Sequence, residues 1–92
     1  MKLPSTVNIL SVPYTVEIGP LADPSDFGES NGSERTIRIR DTSPFHPSTL
    51  LHEICHQVLY VSGLTNLLTD ELEEAIVTAL EHGLFPYFRI PK

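Results

Sequence analysis

The hydrophobic period of this 92-residue chain changes once, near its middle, and that change restricts each half to a different kind of structure. In the first half the apolar residues come in short runs: Val7-Asn8-Ile9-Leu10, then Tyr14-Thr15-Val16-Glu17-Ile18, then Thr36-Ile37-Arg38-Ile39-Arg40. Alternation with period 2 marks half-buried strands, so Ile37 and Ile39 are expected to face the core and the two arginines the other way. Gly19-Pro20 ends the second run, and 19–34, rich in Gly, Pro, Ser, Asp and Asn, reads as a long loop. Residues 41–43 turn the chain out of the third strand. From Pro47 onward the spacing is helical. Proline suits the first turn and Gly63 a C-terminal cap. Residues 64–69 connect, Thr69 suits an N-cap, and Asp70 and Glu71 complement the dipole of a second helix over 70–82. Leu72, Ile76, Ala79, Leu80 and Gly83 form its expected buried stripe. Residues 84–88 fit either a helix kinked at Pro86 or an extended segment. The expected fold class is α+β: a single domain over 1–92, with a small three-stranded, mostly antiparallel sheet followed by two packed helices.

Composition narrows the partners. The net charge is −6, which argues against nucleic-acid binding, since that needs a basic face. Four of the few basic residues are Arg35, Arg38, Arg40 and Arg89, so a local positive patch is confined to 35–40, while many acids fall between Asp70 and Glu81 on what reads as a solvated helix face. No run approaches the roughly 20 apolar residues of a membrane span, and Met1-Lys2-Leu3-Pro4-Ser5 does not open a signal peptide. The single cysteine, Cys55, excludes an internal disulfide. A soluble cytoplasmic protein is expected. A core this small is only marginally stable unless something staples it, and a bound metal would do so.

The residues that carry chemistry are His52-Glu53-Ile54-Cys55-His56, an H-E-x-x-H motif inside the first helical segment. Residues four apart on a helix lie on one face, about 5–6 Å apart at Cβ. Two imidazoles so placed can share one metal ion, usually Zn²⁺, and the glutamate beside the first is then placed to take a proton from a bound water. On a helical wheel His56 falls about 40° from His52, whereas Leu51, Ile54, Cys55 and Val58 occupy a separate sector at about 200–300°. A packing histidine would stand alone inside the apolar face, not paired outside it. At average composition the motif arises by chance in on the order of one chain in a few hundred of this length. Cys55 lies about 80° or more from the pair and reads as a small core residue. Tyr60, four residues after His56, is placed to reach the site, with packing as its plainer role. His46 and His82 sit at helix ends and receive no role.

Catalytic zinc usually has three protein ligands. Position 59 is Leu and position 62 is Ser, so no third histidine follows at the H-x-x-G-x-x-H spacing. A carboxylate on the second helix is the alternative. With Leu72 at 0°, the expected buried stripe centres near 30°, Glu73 lies at about 100° and Glu74 at about 200°. The expected third ligand is therefore Glu73, with Glu74 pointing away and Glu71 a weaker competitor. The plain reading of Glu73 is a capping or solvated residue.

His52-Glu53-Ile54-Cys55-His56 followed by a glutamate-rich helix start resembles the glutamate-type zincin metallopeptidases, in a shape similar to the ImmA/IrrE-like and small phage- or prophage-encoded members. The resemblance spans roughly 7–82, and only the five-residue motif is specific. It departs from the ImmA/IrrE pattern in the second helix, where alignment on Ala75 puts Leu72 at the ligand position, so the choice between Glu73 and Glu74 stays open. What it implies is a zinc-dependent peptidase with His52, His56 and a downstream glutamate as ligands and Glu53 as general base, acting on a peptide or protein substrate such as a regulator. Zincins align substrate along an edge strand beside the motif helix, which makes 36–40 the expected platform, its arginines favouring acidic or extended peptides. The competing expectations are a non-catalytic zinc-stabilised regulatory domain and an acidic interaction module.

Overall fold

A computed structural model describes residues 3–23, 25–42 and 46–87, with His46 described by its backbone alone. Four strands form one sheet in the order β1-β2-β4-β3. β1 (Thr6–Ile9) and β2 (Val12–Ile18) pair antiparallel through a two-residue turn, Leu10-Ser11, with φ of 49° and 69°. β2 runs parallel to β4 (Thr36–Ile39), and β3 (Gly28–Asn31) closes an antiparallel hairpin on the far side of β4. The α+β class holds, and two of the three pairings are antiparallel. The sheet nevertheless has a fourth strand, lying inside the segment expected to be a loop. Gly28-Glu29-Ser30-Asn31 carries no apolar residue, so it shows no period-2 signal; β4 fixes it as a strand by supplying a complete ladder.

The alternation in β4 acts as expected. Ile37 and Ile39 are fully buried, while Arg38 on the opposite face bonds Glu17 at 3.2 Å and approaches Glu29 at 3.8 Å, its neighbours across β2 and β3. Leu3, Ile9, Tyr14 and Val16 join the two isoleucines beneath Leu50 of α1 (His46–Val61). α1 lies across β1, β3 and β4 and packs on its other side against α2 (Asp70–Gly83). Gly63 follows α1 in the left-handed conformation (φ 85°) that glycine adopts without penalty. A 3₁₀ turn, Leu64–Leu67, leads to Thr69, whose side chain accepts from the Leu72 amide as an N-cap. A second 3₁₀ turn, Phe85–Tyr87, follows α2. Among the described residues no helix is long and apolar enough to cross a membrane.

The phase of α2 departs from the expected stripe. Leu72 is half exposed, Ala79 and Gly83 are exposed, and the buried centre is Val77, flanked by half-buried Glu73, Ile76, Leu80 and Glu81. The stripe drawn through apolar residues alone is rotated from the true one because α1 presents histidines as well as carbon to α2, and carboxylates meet them. Part of the turn expected over 41–43, Phe88 and Arg89 lie outside the described residues, as do Met1, Lys2 and the side chain of His46.

Candidate metal centre

His52 and His56 occupy one face of α1, their ring centroids 5.0 Å apart. Each ring is held by a different carboxylate of α2 at Nδ1: His52 by Glu81 at 2.6 Å and His56 by Glu73 at 2.7 Å. The partners run in opposite chain order, so the two helices are antiparallel across the site. Thr65 in the 3₁₀ turn donates to the other oxygen of Glu73 at 2.7 Å and fixes it. Burial opposes ionisation of Glu73, but the bonds from Thr65 and His56, with the charge of His56, outweigh it and hold its carboxyl below the usual range. Nδ1–H donation to a carboxylate sets the tautomer that leaves Nε2 with a lone pair for a metal.

Both Nε2 atoms converge on one further residue. Glu74 places Oε1 3.2 Å from His52 and Oε2 3.0 Å from His56. One donor atom from each of His52, His56 and Glu74 fits within 4.8 Å, and among the described residues this is the group that meets the geometry for holding an ion. The placements expected of the two neighbouring glutamates are thus not those observed. Glu73 comes to the site but meets His56 at Nδ1, whereas Glu74, expected to point away, faces both Nε2 atoms. The cause is the rotated phase of α2. Cys55 is outside the group, and burial, followed by the nearby charge of Glu73, raises its thiol pKa.

Glu53 is buried (8% exposed), and its carboxyl is pushed above the ordinary value chiefly by desolvation; a hydrogen bond from Ser30 and the two histidines oppose that rise. Ser30 Oγ donates to Glu53 Oε1 at 2.8 Å from β3. β3 approaches closely because residue 28 is glycine: a Cβ there would stand 2.7 Å from Thr49 Cγ2 and 3.3 Å from Glu53 Cγ. The gap between β3, α1 and α2 is a cleft of about 420 Å³ lined by Asp26, Phe27, Gly28 and Thr49 together with His52, Glu53, His56, Glu74 and Glu81. Tyr60 is not part of it; its ring covers Gly32 and lines a separate cleft with Tyr14 and Arg35.

The edge of the sheet also differs from the expected one. β4 is bonded on both sides, so it has no free edge, and β3 is the edge strand beside the motif helix. Arg40 N donates to Phe27 O at 2.8 Å. In an antiparallel ladder this makes Phe27, Glu29 and Asn31 the residues bonded to β4, and Gly28 and Ser30 turn their N–H and C=O groups outward. Arg38, already placed between Glu17 and Glu29 on the far face, gives the cleft no positive charge.

Sequence reasoning kept Glu74 only as the alternative to Glu73, and missed Glu81, Ser30, Gln57 and Tyr14 as neighbours of the motif. Two of these had a readable signal. Gln57 stands four residues after Glu53 on the same helix face, and Glu81 stands seven after Glu74. Comparison with known protein families, curated proteins and solved structures finds no match.

Proposed function

We propose that this chain is a zinc-dependent metallopeptidase in which His52, His56 and Glu74 hold the metal and Glu53 is the general base. One observation carries the reading. Each imidazole has a carboxylate at both nitrogens, and the two inward nitrogens share the same carboxylate. Carboxylates on both sides of two imidazoles call for positive charge between them, and a cation held by Nε2, Nε2 and Glu74 would supply it. The donor set of two neutral imidazoles and one carboxylate is that of catalytic zinc sites, with Glu73 and Glu81 orienting the rings from behind.

When bound there, zinc lowers the pKa of a water molecule and polarises a carbonyl oxygen. The chain supplies the rest. Glu53, with a carboxyl raised by burial toward the range useful for proton transfer, accepts the proton of the attacking water and delivers it to the leaving amine. The outward backbone groups of Gly28 and Ser30 accept an extended peptide as a further strand, which places its backbone along the cleft. The carboxylates lining the cleft disfavour acidic side chains there, so neutral or basic peptides are the expected substrates.

The test uses zinc-loaded protein and a mixed library of quenched fluorescent peptides. Wild type is expected to cleave, and Glu53→Gln to retain zinc while losing about 10²–10⁴-fold in rate, the range for removing a general base. Equal cleavage by the two proteins would exclude Glu53 as the base and leave zinc a structural role.

A further inference from the structure

The hydrogen bonds behind Glu53 form a chain with a single direction. Tyr14, from the middle of β2 and 1% exposed, gives its hydroxyl proton to Gln57 Oε1 at 2.7 Å. Gln57, also buried, gives an amide hydrogen to Ser30 Oγ at 2.8 Å. Ser30 gives its own hydrogen to Glu53 Oε1 at 2.8 Å. An ionised carboxylate only accepts, so the chain ends there. Its polarity is set at the Glu53 end, because the hydroxyls of Ser30 and Tyr14 can each donate or accept and the carboxylate cannot donate. If the Gln57 amide were reversed, its oxygen would draw the Ser30 hydrogen away from Glu53, and the Tyr14 hydroxyl would lose its acceptor. Among the described residues no buried side-chain oxygen lacks a partner, and Ser30 is the hydrogen-bond partner of Glu53, bound at Oε1. Oε2 is thereby the oxygen left to the cleft.

We infer that Tyr14, Gln57 and Ser30 are positioning residues that pin Glu53 by Oε1 and leave Oε2 as the oxygen that exchanges the proton. The catalytic use of this chain rests on the general-base role proposed above; the pinning itself does not. Two rigid elements set the geometry, because Tyr14 lies in the sheet core and Ser30 on the edge strand, while Gln57 and Glu53 are one turn apart on α1. The tether also keeps Glu53 from swinging toward the ion that His52, His56 and Glu74 would share.

The test labels the protein with ¹³C-glutamate and follows the Glu53 carboxyl resonance, identified by its absence in Glu53→Gln, in wild type, Ser30→Ala, Ser30→Thr and Tyr14→Phe. The resonance is expected to move in Ser30→Ala, to return toward wild type in Ser30→Thr, and to move in Tyr14→Phe, although Tyr14 is three hydrogen bonds away along the chain. The remaining glutamate resonances report whether each variant keeps its fold. An unmoved Glu53 resonance in folded Tyr14→Phe and Ser30→Ala would overturn the pinning. On the peptide library, zinc-loaded Ser30→Ala is expected to lose about tenfold in kcat with KM unchanged, as for a lost bond to a charged group. A loss in KM alone would overturn the positioning role. A wild type inert toward every peptide would sink the peptidase reading and the catalytic use of the chain, while the resonance still decides whether Glu53 is held.

Discussion

Burial drives the Glu53 carboxyl above its unfolded value, so ionising it works against the fold. The sign follows directly. Below the unfolded pKa the group is protonated in both states and costs nothing. As pH rises from there through the raised folded pKa, the unfolded chain releases its proton first, and stability is lost. Metal-free Glu53→Gln carries no charge at that position and keeps an acceptor for Ser30. At neutral pH it is expected to be more stable than metal-free wild type by about 1 kcal/mol, the usual size of a single stabilising substitution. At pH 4 the difference is expected to shrink. Thermal melts of both proteins at the two pH values measure it, and a variant less stable than wild type at neutral pH would show that Glu53 contributes to the fold as a carboxylate. Glu73 has the opposite sign. Its depressed carboxyl contributes stability at neutral pH that is lost as the pH falls through its folded pKa.

Among the elements, those with apolar periodicity were legible and those held by polar contacts were not. The strand over Tyr14–Ile18, which β2 extends back to Val12, Thr36–Ile39 and α1 follow from alternation or helical spacing, and the caps at Gly63 and Thr69 follow from residue chemistry. β3 was invisible because its four residues have no apolar member, although Asn31-Gly32 just before a strand is a hairpin signal that requires a partner strand. The motif located His52, Glu53 and His56 without ambiguity. It did not separate Glu73 from Glu74, because a stripe traced through leucines cannot show that α2 turns carboxylates toward α1. The turn joining β1 and β2 carries its own cost. Leu10 and Ser11 both hold positive φ, where a side chain is strained, in a hairpin that ordinarily takes Asn-Gly. Replacing the pair with Asn-Gly is expected to stabilise the protein by about 1–2 kcal/mol, read as a rise in the midpoint of urea unfolding. An unchanged midpoint would mean that the exposed Leu10 side chain offsets the strain.

At the scale of the whole molecule, the sheet and α1 share one core, while α2 contributes a single fully buried residue, Val77, and also meets α1 through the His–Glu contacts. A metal held between His52, His56 and Glu74 would therefore join the more weakly attached helix to the rest of the fold, coupling binding to stability. The most direct test of the account is zinc content by mass spectrometry on purified wild type, Glu74→Ala and Glu73→Ala after reconstitution and dialysis. One equivalent in wild type, none retained in Glu74→Ala, and zinc bound more weakly but still detectable in Glu73→Ala is the expected pattern, since loss of an orienting carboxylate costs about 10–100-fold in affinity. Zinc retained by Glu74→Ala and lost by Glu73→Ala would contradict the ligand set, and a wild type that holds no zinc would contradict the metal centre altogether.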